Sequence, residues 1–193
     1  MAEVVWHVTM SLDGFIAGPD DAMEWVFEHS GPNAVADEIV STTGAVLAGR
    51  RSYDVGKRDA VTASRGIHGV YGRAWTGPQF VLTHNPPDPE TDSGVTFLSG
   101  DVSCAVARAL ATAGGKNVVL IGATVARECL ALGLVDEIVV HLAPVLLGDG
   151  IRLFESPACE RFDLERTSVG ESGQLTDLRF RVKKNQQTIE SGD

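Results

Sequence analysis

Basic residues are few in this 193-residue chain: 16 Lys and Arg stand against 26 Asp and Glu, a formal net charge of −10. No basic run occurs anywhere, which argues against nucleic acid as a partner, because such binding rests on many Lys/Arg contacts to phosphate. Cysteine is scarce as well. Cys104, Cys129 and Cys159 lie far apart with no CxxC pair, so no zinc framework is expected. The five histidines are equally scattered, and no metal site is expected from them. Cys104 and Cys129 fall in helical apolar patterns, where a free cysteine usually behaves as a small buried hydrophobe. Long apolar runs are missing too, so no segment is expected to span a membrane. The first residues lack a basic stretch followed by an apolar one, so a signal peptide is not expected and a cytoplasmic location is. There is no internal repeat and no low-complexity segment.

What the chain does contain is ordinary for a globular domain: 44% hydrophobic and 22% charged residues. One domain over residues 1–184 is expected, with a flexible polar tail at 185–193. Val4 to Met10 is β-rich and predicts a first strand. A helix is predicted from Asn33, as N-cap, to Thr43, with Gly44 as its stop. Short apolar strands follow at Val46–Ala48, Phe80–Thr83 and Val95–Leu98. Asp101 caps a predicted helix that runs through Ala113 and ends at Gly114-Gly115. A strand at Val118–Ile121 leads into a helix at Val125–Leu132, and another strand runs from Ile138 to Leu142. Phe162–Ser168 and Thr176–Val182 then flank a turn at Gly170-Glu171-Ser172-Gly173. Leu178, Phe180 and Val182 alternate with Arg179, Arg181 and Lys183, which predicts an antiparallel hairpin with one wet face. The sum is an α/β sheet, parallel in the middle, with an antiparallel edge. Gly18–Pro32 and Tyr53–Gly77 carry little periodicity, and loops of that length often cover a ligand.

Three strand ends attract attention. Ile121-Gly122-Ala123-Thr124-Val125-Ala126 passes from strand to helix through a glycine. Such a turn exposes unpaired N–H groups at the positive end of a helix dipole, a setting suited to a diphosphate. Gly49-Arg50-Arg51-Ser52 also follows a buried strand, and Arg50, Arg51, Lys57 and Arg58 form the one tight basic cluster of the first half. An arginine there grips phosphate with two parallel hydrogen bonds, unless the segment is simply a solvated turn. Thr83-His84-Asn85 offers polar groups for an adenosine ribose or its phosphate, or else a plain polar turn. The full G-x-G-x-x-G fingerprint is absent, and Asp136-Glu137 lies too near to read a ribose, so an ordinary dinucleotide Rossmann domain is disfavoured. Asp13, before Gly14, is a candidate proton donor if burial raises its pKa, or else a turn cap. Trp25 either stacks on a flat ring or packs in the core.

The order Ser11-Leu12-Asp13-Gly14-x-Ile16-Ala17, Trp25, Gly49-Arg50, Ile121-Gly122-x-x-x-Ala126, Leu134-Val135-Asp136-Glu137 and Pro144-Val145-Leu146-Leu147-Gly148-x-Gly150 resembles the dihydrofolate reductase superfamily. More narrowly it resembles the C-terminal reductase domain of the bifunctional deaminase–reductase of riboflavin biosynthesis, over roughly residues 3 to 183. The resemblance implies a three-layer α/β/α fold around a mixed, mostly parallel sheet. It also implies NADPH as hydride donor and a homodimer. By position, Gly49, Arg50, Arg51 and Ser52 would meet the cofactor phosphates, and Thr83, His84 and Asn85 the adenosine end. Gly122, Ala123, Thr124, Val125 and Ala126 would hold the diphosphate and nicotinamide side, with Met10 and Trp25 near the nicotinamide and substrate. The chain departs from the riboflavin pattern in carrying Phe15 in place of a basic residue and Leu120 in place of a Glu. It has Tyr53-Asp54-Val55-Gly56-Lys57 in place of A-D-D-P-x-L-T, and it lacks the H-x-E and P-C-x-x-C motifs of the deaminase half. Phe15 and Leu120 together predict a more apolar substrate pocket. The expected activity is therefore NADPH-dependent reduction of a small heterocyclic or conjugated compound. The alternatives are the riboflavin-pathway reductase itself, a dihydrofolate reductase, or a nucleotide-binding protein without turnover.

Overall fold

A computed structural model describes residues 1–29, 31–58, 75–87, 94–155 and 161–184. The first apolar run, β1 (Val4–Ser11), lies inside an eight-stranded sheet. It is parallel to β6 (Asn117–Ile121) on one side and to β7 (Glu137–Ala143) on the other. Beyond β6 come β3 (Thr43–Gly49), β4 (Gln79–Leu82) and β5 (Thr96–Leu98), all parallel. Beyond β7 the hairpin of β9 (Leu164–Ser172) and β10 (Leu175–Val182) runs antiparallel. The order is β5-β4-β3-β6-β1-β7-β10-β9. A separate small ribbon pairs β2 (Phe15–Ala17) with β8 (Ile151–Arg152).

Helices cover both faces, which is why the central strands read as continuous apolar runs. On one face α4 (Val102–Thr112) and α5 (Thr124–Ala131) bury Ala105, Val106, Ala109, Ala126 and Cys129 against Trp6, Leu47 and Leu120. On the other, Ile39 of α2 (Ala34–Thr42) and Tyr53 of α3 (Arg50–Arg58) pack on Val5, Val46, Val119 and Val139. Each such large side chain contributes about 1.5–3 kcal/mol of burial. A short helix, α1 (Glu24–Glu28), lies in the segment expected to be irregular, after a 3-10 turn at Pro19–Asp21. This is the three-layer dihydrofolate reductase-like α/β/α fold.

Asn33 caps α2 as expected, its side chain accepting from the Ala36 N–H at 2.8 Å. Asp101 likewise accepts from Ser103 and Cys104 at the start of α4. Gly44 is not a helix stop. It lies within β3, and a Cβ there would stand 2.1 Å from the Ala113 carbonyl oxygen, so glycine permits the close passage of β3 beneath the end of α4. Cys104 is exposed, contrary to expectation, whereas Cys129 is buried. The hairpin turns at Gly173-Gln174, so Gly170, Glu171 and Ser172 belong to β9. Its expected wet face is only partly wet, since Asp177 is buried and the Arg179 side chain is just 18% exposed. Tyr53 to Arg58 is helical; residues 59–74, Cys159 and the expected tail at 185–193 lie outside the described residues. Among the described residues, no helix is long and apolar enough to cross a membrane, and no His/Cys/Asp/Glu group is arranged to hold a metal ion.

Candidate active site

The sheet reverses its winding between β3 and β6. β3 hands the chain to α3 on one face, while β6 hands it to α5 on the opposite face. A crevice opens at the carboxyl ends of two such strands, and open α/β sheets bind ligands there. Gly122 has φ +89°, and a Cβ on it would meet Ser52 Oγ at 2.2 Å. The first turn of α3 therefore sits directly against the turn after β6. A Cβ on Gly49 would lie 3.2 Å from Val125 Cγ2, which ties the same two turns again. The third strand end joins them through Arg50, whose Nη1 donates to the Asn85 carbonyl at 3.2 Å. The turn itself is closed by Thr83 Oγ1, which accepts from the Asn85 N–H at 3.2 Å. Gly49, Arg50, Ser52, Thr83, Asn85, Gly122 and Val125 thus form one ledge along β4, β3 and β6.

The ledge carries two arginines and an uncapped helix start, although the protein is acidic. No side chain caps α5, whose N-cap residue is Ala123, and the first turn of α3 carries no acidic residue. Val125 and Ala126 are buried, so their side chains serve the core beneath this turn. Arg50 Nε is paired with Asp54 at 2.8 Å and Arg51 Nε with Asp21 at 2.6 Å, both arginines being well exposed. The Arg50–Asp54 pair is exposed on both sides and contributes about 0–1 kcal/mol, so a phosphate can replace the carboxylate, whereas Asp21 is only 13% exposed.

At the end of β1 the structure assigns Asp13 a fastening role. Its carboxylate accepts from Ser11 Oγ at 2.6 Å, from the Leu147 N–H at 3.1 Å and from the Gly148 N–H at 2.7 Å. The Ser11 hydroxyl, aided by those two amides, holds the Asp13 pKa down to about 2. An acid role calls for a raised pKa, and these hydrogen bonds shift it the other way. The carboxylate instead binds the loop after β7 to the end of β1, with Leu12 N–H donating to the Val145 carbonyl at 2.9 Å.

Three further expectations change. Leu120 is fully buried between Trp6 and Leu47 under α4 and α5, so it lines no pocket. Met10 packs at the edge of that same cluster, while Trp25 packs with Ala143 and Leu175 on the opposite side of the sheet. The two do not flank one ring, and the Trp25 indole N–H donates to the Ala22 carbonyl at 3.2 Å. Phe15 is only 4% exposed. The guanidinium of Arg152 lies over its ring at 4.5 Å, so the ring is covered by a cation and offers no open apolar surface. Sequence reasoning missed Arg152 because the antiparallel β2–β8 pairing that brings it there is non-local.

A buried polar cluster was also missed. His7 Nε2 and His141 Nε2 are 2.7 Å apart, His141 Nδ1 and Asp177 Oδ1 2.5 Å. Asn33 Nδ2 and Ser172 Oγ donate to the same carboxylate at 3.0 and 2.6 Å. The chain of bonds is complete when His141 Nδ1–H donates to Asp177 and one proton lies between the two Nε2 atoms. Burial first, then the neighbouring His141 and Arg179, lowers the His7 pKa to about 3. For Asp177, burial opposes ionisation, but hydrogen bonds from Ser172, His141 and Asn33 prevail and lower its pKa. Because Asn33 also caps α2, this cluster anchors that helix to β7 and β10.

Residues 2–176 match the RibD C-terminal domain family. The chain belongs to that family. It is 27% identical over 180 residues to the uncharacterized protein YwjB of Bacillus subtilis (strain 168), covering 92% of this chain and 97% of that one. Among solved structures, a candidate riboflavin biosynthesis protein of Shewanella sp. PV-4 superposes with a TM-score of 0.75 at 20% identity, over 95% of this chain and 100% of that one. A pyrimidine reductase-like protein of Corynebacterium diphtheriae gives 0.67 at 15% identity, over 95% and 93%. The RibD C-terminal fold thus accounts for the sheet order.

Proposed function

We propose that this RibD C-terminal domain protein reduces a small heterocyclic or conjugated compound with NADPH. The observation that carries the reading is the meeting of three strand-end turns at the reversal between β3 and β6, held by Ser52 against Gly122 and by Arg50 on Asn85. The residues fit a dinucleotide. Uncapped N–H groups of α5 and the Ser52 hydroxyl suit the diphosphate, the missing Cβ of Gly122 letting Ser52 approach that turn. Arg50, fixed to the turn after β4, suits the additional phosphate of NADPH at the adenosine end, with Arg51 adjacent.

Bound there, NADPH supplies the hydride. The protein orients the two reactants along the β6 and β1 ends and excludes water between them. Asp13 keeps the Leu147-Gly148 loop in place at the substrate side. With Asp13 engaged in this fastening, the proposal draws the proton from solvent. Calorimetric titration with NADPH and NADH tests this reading. NADPH binding at least about tenfold tighter than NADH is expected, from one charge-assisted phosphate contact. Equal binding of the two, or none, contradicts it.

A further inference from the structure

We infer that Arg152, stacked on Phe15, receives an oxyanion group of the substrate, a phosphate ester or a carboxylate. The inference deepens the reductase reading and rests on it for the word substrate. The guanidinium is exposed yet immobilised. Its ring partner Phe15 is buried, with the cation 4.5 Å from the centroid, and Arg152 Nη1 lies 4.0 Å from where a Cβ on Gly14 would stand. Its backbone is clamped from both sides. Leu153 N–H donates to the Gly14 carbonyl at 2.9 Å, and Arg127 of α5 donates to the carbonyls of Arg152 and Leu153. The backbone that carries this side chain is therefore fixed between the end of β1 and the helix that starts at the ledge.

Its charge is unanswered. Arg50, Arg51, Arg161 and Arg179 each meet a carboxylate within 3.0 Å, but among the described residues no carboxylate pairs with Arg152. The nearby Asp13 is engaged with Ser11, Leu147 and Gly148. An arginine stacked on an aromatic ring keeps its planar edge free and loses little entropy on gripping an oxyanion. Arg152 lies on β8, paired with β2 beyond the end of β1, whereas Arg50 and Arg51 open α3 after β3, and β6 separates β1 from β3. That separation sets Arg152 apart from Arg50 and Arg51 and assigns it to the second reactant.

The test is a side-chain Nε–Hε NMR titration of the full chain with phenyl phosphate, benzoate and, as an uncharged control, benzamide. It is run with and without NADP⁺, on the wild type, on Arg152→Gln and on the double variant Arg50→Gln/Arg51→Gln. A saturable shift of the Arg152 resonance with either anion, and none with benzamide, supports the inference; which anion saturates at lower concentration separates phosphate from carboxylate. Anion affinity is expected to fall at least about tenfold in Arg152→Gln, the weight of a charge-assisted hydrogen bond. It is expected to persist in the Arg50/Arg51 variant. If that variant and the wild type alike fail to bind NADP⁺ while Arg152 still takes the anion, the cofactor reading falls and the anion subsite stands. An unmoved Arg152 resonance, or unchanged anion affinity in Arg152→Gln, overturns the inference.

Discussion

Two polar regions of this molecule are built on opposite terms. Beneath α2, Asp177 satisfies its carboxylate with His141, Asn33 and Ser172, and the cluster lies buried in the sheet. At the carboxyl edge, α5 has no side-chain cap and Arg152 has no carboxylate partner among the described residues. Saturated and buried, the first region holds an element in place; unsaturated and open, the second is left to meet a ligand. The difference separates groups that stabilise the fold from groups available for chemistry, although both regions contain the residue types of a catalytic site.

The sharpest way to break that division is at Asp177. Asp177→Ala strands His141, Asn33 and Ser172 in a buried site, and a loss of about 3–5 kcal/mol in urea unfolding is expected. The surviving folded protein should bind NADPH as before. A large change in NADPH affinity with unchanged stability would place the cluster in the chemistry instead. The reverse holds at the ledge. Arg50→Ala should weaken NADPH at least about tenfold, while loss of the exposed Arg50–Asp54 pair, worth about 0–1 kcal/mol, leaves unfolding nearly unmoved.

Acid gives a third discrimination. His7 is held at a pKa of about 3 against an ordinary 6.5, so the unfolded chain takes up its proton first. Its contribution to stability is complete above pH 6.5, declines as pH falls through that value, and levels off below about 3. Asp177, whose pKa is also lowered, adds to the loss at the acid end. Unfolding midpoints measured from pH 7 to pH 4 should fall more steeply for the wild type than for His7→Asn. The smallest effect concerns Asp13. Asp13→Asn keeps part of the loop fastening and should retain turnover with an unshifted pH profile. Abolished turnover with loss of an acid limb would restore Asp13 as the proton donor.

Much of the fold was legible because local chemistry and tertiary structure agree. Asn33 and Asp101 announce their helices as caps, and the apolar runs around Val5, Leu47 and Val119 announce a sheet covered on both sides. Gly44 misled because a glycine after an amphipathic run resembles a helix stop, whereas its true constraint is the Ala113 carbonyl, far away in sequence. Asp177 and Arg179 misled because strand alternation shows which side chains share a face but not what covers that face. At the site, the glycine turns at Gly49 and Gly122 were readable as strand-to-helix junctions. Arg152 was not, since no local pattern predicts that a two-residue strand will pair back onto Phe15. Leu120 was misassigned because its neighbour Gly122 reaches the crevice while Leu120 itself points into the core.

Amide hydrogen exchange with and without NADPH tests the ledge most directly. The account predicts slowed exchange at residues 50–52, 83–85 and 122–126, with the amides around His141 and Asp177 unchanged. Uniform exchange on adding NADPH, or protection centred on His141 and Asp177, would contradict it.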